Sequence, residues 1–101
     1  MNDSENRPDA GADGDAPPPS ERWDASPERL ETTYRFASFG EAIRFMGDCV
    51  EVIDALDHHP DWSNAYRRVR VTLTTHSEGG RVTDLDRRLA AELDRIYARY
   101  A

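Results

Sequence analysis

All three histidines of this chain fall in one short stretch, at His58, His59 and His76. Imidazole titrates near neutral pH without help from its surroundings, so it is well suited to donate and accept protons in water. Carboxylates at Asp54 and Asp86 stand before and after the stretch. Histidines and carboxylates in this arrangement indicate a site for proton-transfer chemistry.

Two other interpretations of the histidines follow from the residues. Adjacent residues of an extended chain point to opposite faces, so His58 and His59 are poorly placed to share one metal ion. The chain has a single cysteine and no spacing typical of a zinc site. A structural role stays open, in which the histidines cap a helix and satisfy backbone carbonyls, with His76 a polar strand residue.

Covalent catalysis has little support in the sequence. Ser63, Ser77 and Cys49 stand in no familiar motif with a base. Cys49 lies in an apolar helical pattern and has no second cysteine to pair with, which predicts a buried free thiol. Acid-base chemistry without a covalent intermediate remains.

Two elements are expected before the histidines. Alternation from Leu30 to Phe36 predicts a half-buried strand, and Trp23 is expected either to start a further short strand or to anchor the chain against the domain. Ser38 and Glu41 have the spacing of a capping box, which predicts the start of a helix that packs across a sheet. The apolar residues expected on its buried stripe are Phe39, Ile43, Met46, Val50, Ile53 and Leu56, flanked by Ala42, Phe45, Cys49 and Val52.

Pro60 sets the end of this helix. Proline disfavours the α region at the preceding His59, so the helix should stop near Asp57, where it gives way to extended chain. Strict alternation from Tyr66 to His76 then predicts one long strand. Its expected core face is Val69, Val71, Leu73 and Thr75.

A turn and a second helix complete the pattern. Gly79 and Gly80 mark the turn, and Thr83 and Asp86 repeat the capping pattern with Asp in place of Glu. The stripe expected to be buried is Leu85, Leu89, Leu93, Ile96 and Tyr100. The order strand, helix, strand, helix predicts an α+β fold, a small antiparallel sheet with helices packed on one face in a two-layer sandwich.

The first twenty residues have a composition unlike a folded core. Residues 1–20 are rich in Asp, Gly, Ala and Pro and contain no Ile, Leu, Val or aromatic side chain. With nothing to bury, such a segment cannot offset the entropy of ordering. We therefore expect an acidic, Pro-rich disordered tail at 1–20 and one domain at 21–101.

The net charge and the hydropathy of the chain argue against two classes of partner, nucleic acids and membranes. The formal net charge of -7 argues against nucleic acid as the main ligand, because phosphate binding needs a basic surface. Arg67, Arg68 and Arg70 are accordingly interpreted as a solvated strand face. No apolar run approaches the roughly 20 residues of a membrane span, and the N-terminus has no signal-peptide core. We expect a cytoplasmic protein without a membrane or nucleic-acid partner.

Several separated motifs together resemble the pterin-4a-carbinolamine dehydratases. The residues that match the family signature, in order, are Asp54, His58-His59-Pro60, Tyr66, His76 and Asp86. Further matching segments are Phe45-Met46, Asp61-Trp62, Val69 to His76 and Gly79-Gly80 through Leu85-Asp86. The likeness runs from Leu30 to Tyr100, with Trp23 matched to an early tryptophan. The loop between His76 and Asp86 is one residue longer than the common bacterial pattern.

The resemblance implies an activity and a set of roles. The reaction is dehydration of the 4a-hydroxytetrahydropterin left by aromatic amino acid hydroxylases, giving quinonoid dihydropterin for tetrahydropterin recycling. His58 and His76 would form the acid-base pair and His59 would bind and orient the pterin, while Asp86 either fixes a histidine tautomer or is a plain helix cap. The implied substrate-binding residues are Asp54, Pro60, Trp62 and Trp23, with a core or interface role open for Trp62. No metal or other cofactor is expected, since two imidazoles suffice for the two proton transfers.

The resemblance also implies a homodimer or homotetramer, built by pairing of sheet edges and packing of helices. A long strand in a small sheet would otherwise leave an open edge. The alternative function is a non-catalytic module of the same fold that serves as a coactivator or assists assembly of other enzymes. The complete set of histidines favours the enzyme, because a scaffold does not need it.

Overall fold

The computed structural model describes residues 16–101, and they form an α+β domain as predicted. Of the tail expected at 1–20, residues 1–15 lie outside the described residues. The strands are β1 (Asp24–Ala25), β2 (Leu30–Arg35), β3 (Asp61–Ala65) and β4 (Arg68–Leu73). The helices are α1 (Phe39–Leu56) and α2 (Asp84–Tyr97), with a 3-10 turn at His76–Glu78. None of the helices in this part of the chain has the length and apolar character to cross a bilayer.

The four strands form one antiparallel sheet in the order β1-β2-β4-β3. Alternate side chains of β2 and β4 are buried, as the period-two pattern predicts. The buried set is Leu30, Thr32 and Tyr34 on β2 and Val69, Val71 and Leu73 on β4. Both helices cover this face, so within residues 16–101 the opposite face of the sheet is bare.

The strand predicted from Tyr66 to His76 is shorter at both ends, because β4 spans only Arg68–Leu73, Tyr66 lies in the turn of a hairpin with β3, and His76 lies in the 3-10 turn. Tyr66 has a left-handed backbone with φ 54°, and the Asn64 side-chain amide donates to the carbonyls of Tyr66 and Arg68 at 3.1 and 3.0 Å. The chain therefore reverses at Tyr66. An edge strand with one large apolar side chain, Trp62, gives too weak an alternation to be recognised.

Helix α1 begins and ends where expected, but a different stripe of it faces the core. The Ser38 hydroxyl accepts from the Glu41 N–H at 3.1 Å, while the Glu41 carboxylate accepts from Ala37 rather than from Ser38. The buried residues are Ala42, Phe45, Cys49 and Ile53. Phe39, Ile43 and Val50, predicted to be buried, are 50, 43 and 48% exposed. The helix is apolar over more than half its circumference, and only packing could choose between the two stripes.

Other predictions about packing are confirmed. Cys49 is a buried free thiol, and burial raises its pKa to about 12. Leu89, Leu93 and Ile96 are buried on α2, with Leu85 and Tyr100 partly buried.

A cluster of aromatic side chains joins the sheet to both helices. Its members are Tyr34, Phe36, Phe45, Tyr97 and Tyr100, with ring centroids 4.7 to 6.1 Å apart.

One carboxylate of α2 ties the N-terminal segment to the domain. Asp94 accepts hydrogen bonds from the Tyr34 hydroxyl at 2.5 Å, from the Trp23 indole N–H at 3.2 Å and from the Ser20 hydroxyl at 2.7 Å. Desolvation by burial, followed by the hydrogen bond to Asp94, raises the pKa of Tyr34 far above its usual range. Tyr34 therefore stays a neutral donor at any physiological pH.

We predict that Asp94→Ala destabilises the domain by about 2–4 kcal/mol, because it leaves the Tyr34 hydroxyl and the Trp23 N–H buried without an acceptor. Urea unfolding followed by far-UV circular dichroism measures the change. The matched control is Asp48→Ala, which removes the same kind of carboxylate-to-tyrosine bond, to Tyr100, at the surface. Equal losses in the two variants would contradict the role given to Asp94.

Candidate active site

The C-terminus of α1 presents the first histidine. Asp57 caps the helix in a left-handed conformation with φ 48°, and its N–H donates to Asp54 O at 3.1 Å. The next N–H, of His58, still reaches Ile53 O at 3.3 Å. Pro60 then prevents further helix, as the sequence predicts. The chain turns sharply at Asp57, and the position of His58 is fixed by two backbone bonds.

The His58 ring contacts a carboxylate from the other helix. His58 Nε2 lies 2.6 Å from Asp86 Oδ1, and the two side chains are 11% and 0% exposed. Asp86 is in the first turn of α2, where with Thr83 it forms the predicted capping box. The carboxylate that caps α2 is therefore also in contact with a histidine.

The second oxygen of Asp86 is also satisfied. Its Oδ2 accepts from the Thr83 N–H at 2.9 Å and from the Thr75 hydroxyl at 2.7 Å, and the Thr75 and Thr83 hydroxyls lie 2.7 Å apart. Burial, the largest single influence, favours the neutral acid. The hydrogen bonds from His58, Thr83 and Thr75 together outweigh it and lower the pKa of Asp86 below its ordinary value of 3.8.

Ionisation of Asp86 determines which nitrogen of His58 carries hydrogen. A carboxylate only accepts, so a contact of 2.6 Å places the hydrogen on Nε2. No described residue bonds the other nitrogen, Nδ1. That atom is consequently the one available to take up or release a proton.

His59 and Asp54 form a second, open pair. His59 Nε2 is 3.6 Å from Asp54 Oδ1, and the side chains are 63% and 69% exposed. A contact of this length between exposed groups is weak. His59 thus keeps its ring accessible, next to the half-buried Pro60.

His76 follows Thr75 directly and opens the 3-10 turn. Its side chain is exposed and makes no hydrogen bond or ion pair with residues 16–101. Since the hydroxyl of Thr75 binds Asp86, the backbone carrying His76 is anchored to the same network as His58. The network links the ends of α1 and β4 to the start of α2.

The two tryptophans lie in different surroundings. Trp62 is half-buried on β3, where it pairs with Val71 and packs against the core. Trp23 is 5% exposed, and its ring lies edge-on to Tyr34 at 6.1 Å. A substrate-binding role for either stays a prediction. No group of three or more His, Cys, Asp or Glu among residues 16–101 is arranged to hold a metal ion.

Thr75 is the residue of this network that the sequence did not single out for function. A signal was present, since Thr75 is a hydroxyl residue in the buried phase of an alternating strand, after Val69, Val71 and Leu73. A buried hydroxyl needs a hydrogen-bond partner, and that need points to a nearby polar group.

Comparison with known proteins gives a consistent family. The family model described as pterin 4 alpha carbinolamine dehydratase matches residues 12–96. A protein of Opitutus terrae named "Putative pterin-4-alpha-carbinolamine dehydratase" is 47% identical over 74 residues, 73% of this chain and 76% of its own. A protein of the same name from Bordetella avium is 47% identical over 79 residues, 76% of this chain and 72% of its own.

Two solved structures share the fold. The crystal structure of a transcriptional coactivator/pterin dehydratase from Brucella melitensis has a TM-score of 0.71 and 40% identity, covering 76% of this chain and 83% of the other. A pterin dehydratase-like protein described as a RuBisCO assembly factor in the alpha-carboxysome has a TM-score of 0.60 and 21% identity, covering 75% and 87%. The second likeness supports the fold alone.

We predict that Asp86→Asn destabilises the domain at pH 7 by about 1–3 kcal/mol, because a neutral amide cannot replace the carboxylate as acceptor of all three bonds. The lowered pKa of Asp86 stabilises the folded state above the ordinary value of 3.8, and this contribution disappears as pH falls through the folded pKa. The difference in the free energy of unfolding between the variant and the natural protein should therefore become smaller as the pH falls. Urea unfolding from about pH 7 to about pH 3 measures it. A gap that is constant over this range would contradict the ionised state assigned to Asp86.

Proposed function

This chain belongs to the pterin 4 alpha carbinolamine dehydratase family, and on that basis we propose that it dehydrates 4a-hydroxytetrahydropterin to quinonoid dihydropterin. The observation that carries the proposal is the buried contact of 2.6 Å between His58 and Asp86. It leaves one imidazole oriented and chemically available at the junction of three chain segments.

The reaction requires two proton transfers. Hydroxide is a poor leaving group, so the hydroxyl oxygen takes a proton as the C–O bond breaks, and water departs. A ring N–H of the pterin gives up a proton, which conserves charge and completes the quinonoid product. Groups with pKa values near neutrality serve both transfers best.

We assign His58 and His76 to these transfers and His59 to binding and orienting the pterin. Asp86 holds the hydrogen of His58 on Nε2, which supports Nδ1 as the reacting nitrogen. The exposed His59 and His76 rings are free to meet a ligand. Asp54, Pro60, Trp62 and Trp23 are proposed to contribute to substrate binding. The product would return to the tetrahydropterin pool used by an aromatic amino acid hydroxylase.

A second copy of the chain is the partner that best fits helix α1. Phe39, Ile43 and Val50 are large exposed apolar residues on one stripe of this helix, with the half-buried Met46 between them. Exposed apolar stripes of this kind indicate contact with another protein. Antiparallel pairing of two α1 helices about their midpoint would set Ile43 of one copy against Val50 of its partner.

A dimer built on α1 leaves the edge of the sheet available. Among residues 16–101, β3 pairs only with β4, so its outer edge offers a second contact for a tetramer.

A non-catalytic binding module is the second candidate function. The same stripe of α1 favours it, because an apolar helix face accepts a partner protein as readily as a second copy. The related protein of Brucella melitensis is described as a transcriptional coactivator/pterin dehydratase. Co-purification of one stoichiometric partner, with no acceleration of carbinolamine decay, would favour this function.

We predict that His58→Ala and His76→Ala each lower kcat for carbinolamine dehydration at least tenfold, since positioned acid-base groups contribute about 10² to 10⁴. Stopped-flow absorbance of the carbinolamine, generated in the presence and absence of protein, measures the rate. Glu78→Gln, in the same turn as His76, is the control and should keep its activity.

Circular dichroism of each histidine variant shows whether the fold is intact. Unchanged turnover in both histidine variants would remove the roles assigned to them. Failure of the natural protein to accelerate the decay would remove the dehydratase function itself.

We predict that the chain is at least a dimer and that Ile43→Glu dissociates it, because the substitution buries a carboxylate of each copy against the apolar Val50 of the other. Light scattering coupled to size exclusion, at micromolar concentration, measures the mass. Tyr66→Glu is the matched control, since Tyr66 is also a large exposed apolar residue, 67% exposed, and lies in the β3–β4 turn and not on α1. A monomeric natural protein, or an unchanged mass for Ile43→Glu, would contradict this pairing.

A further inference from the structure

The bare face of the sheet carries a regular grid of side chains. The strand register places nine residues on it in three rows, each taken across β2, β4 and β3. The rows are Glu31, Thr72 and Asp61, then Thr33, Arg70 and Ser63, then Arg35, Arg68 and Ala65. Charge therefore changes along the strands, from an acidic row to a basic row, on a chain with a net charge of -7.

The basic row contains a pairing that costs stability. Arg35 and Arg68 are direct cross-strand neighbours, and like charges in that position destabilise a sheet. Neither side chain has an ion pair within residues 16–101. Arg70, in the middle row, is only 3.6 Å from Glu31, so its charge is partly balanced. In the part of the chain that the structure describes, two adjacent guanidinium groups are left without a counter-ion.

A groove runs between these side chains. One hollow of about 390 Å³ is lined by Thr33, Arg35, Ser63, Ala65, Arg68 and Arg70. A second, of about 450 Å³, shares Arg35, Ala65 and Arg68 and continues past Tyr66 and Arg67 at the hairpin turn. The small Ala65 and Ser63 leave the guanidinium groups accessible from the β3 side. We call the two hollows together the basic groove.

We propose that the basic groove binds an acidic, extended segment of a partner protein. Guanidinium groups bind carboxylates through paired hydrogen bonds, and the hydroxyls of Thr33 and Ser63 add further donors. Arg68 and Arg70 are two residues apart on one strand, hence about 7 Å apart. Alternate side chains of an extended peptide have the same spacing, so carboxylates at every second position match the groove.

Nucleic acid fits the same surface less well. A polyphosphate carries closely spaced charge over a long distance, and specific or non-specific binding usually neutralises several phosphates at once. The basic groove offers few cations, and the acidic row of Glu31 and Asp61 lies at the other end of the same face. A short acidic segment needs to contact only the end of this sheet face that carries Arg35 and Arg68.

Fluorescence anisotropy of the full chain tests the proposal, with a short dye-labelled peptide in which Asp alternates with Ser as the probe. We expect binding that weakens as salt rises, and a loss of affinity of about tenfold or more for the double variant Arg35→Gln with Arg68→Gln. The control double variant Arg88→Gln with Arg99→Gln removes the same charge from α2 and the chain end that follows it, and should bind normally.

Two further probes separate the outcomes. A peptide with Asn in place of Asp should not bind, and a thymidine oligonucleotide of equal charge should bind more weakly than the acidic peptide. The proposal would be overturned if the acidic peptide did not bind, or if the Asn peptide bound equally well. It would also be overturned if the oligonucleotide bound more tightly, or if the Arg35→Gln with Arg68→Gln variant bound the acidic peptide normally. The proposal does not depend on the dehydratase function.

Discussion

The buried carboxylate of Asp86 is the group on which the candidate site depends. Its two oxygens accept from the His58 ring, the Thr83 N–H and the Thr75 hydroxyl, and its side chain has no exposure to solvent. A buried charge is tolerated only when it is fully hydrogen-bonded. Asp86 meets that requirement by holding the end of α1, the end of β4 and the start of α2 together, so the need to satisfy one charge also positions the histidines.

Helix α2 repeats this arrangement with a second carboxylate. Asp94 accepts from Tyr34, Trp23 and Ser20 and so fixes the N-terminal segment and β2, while Asp86 fixes the histidine end. The two carboxylates differ in whether a side chain bound to them keeps an unused hydrogen-bonding atom. Each donor to Asp94 belongs to a side chain of the fold, whereas the His58 that binds Asp86 keeps an Nδ1 without a partner among residues 16–101. One carboxylate of α2 thus ties the chain together, and the other also orients a ring of the candidate site.

A small two-layer fold necessarily exposes surfaces that a larger one would cover. One sheet face has no helices, and α1 has more apolar surface than the sheet can bury. These surfaces differ in chemistry, since the helix presents Phe39, Ile43 and Val50 and the sheet presents Arg35 and Arg68. The first suits a second copy of the chain, and the second suits carboxylates. A domain of this size can in this way combine a site, an oligomer contact and a partner surface.

The sequence by itself determined both helices, the central strands β2 and β4, and the residue types of the candidate site. Local signals act over a few residues: Pro60 ends α1, Thr83 and Asp86 form a cap, and alternation marks β2 and β4. The three histidines indicated proton transfer, and their motif indicated the family.

Only the tertiary structure decided which side chains meet. The hairpin at Tyr66, the stripe of α1 that faces the core and the bond from Thr75 to Asp86 depend on contacts between residues far apart in the chain. The apolar residues of α1 form two stripes that both suit a buried helix, and the second helix and the sheet select one of them. Likewise, the sequence leaves open whether Asp86 orients a histidine or only caps α2, and its contact with His58 forms only when α1 and α2 pack together.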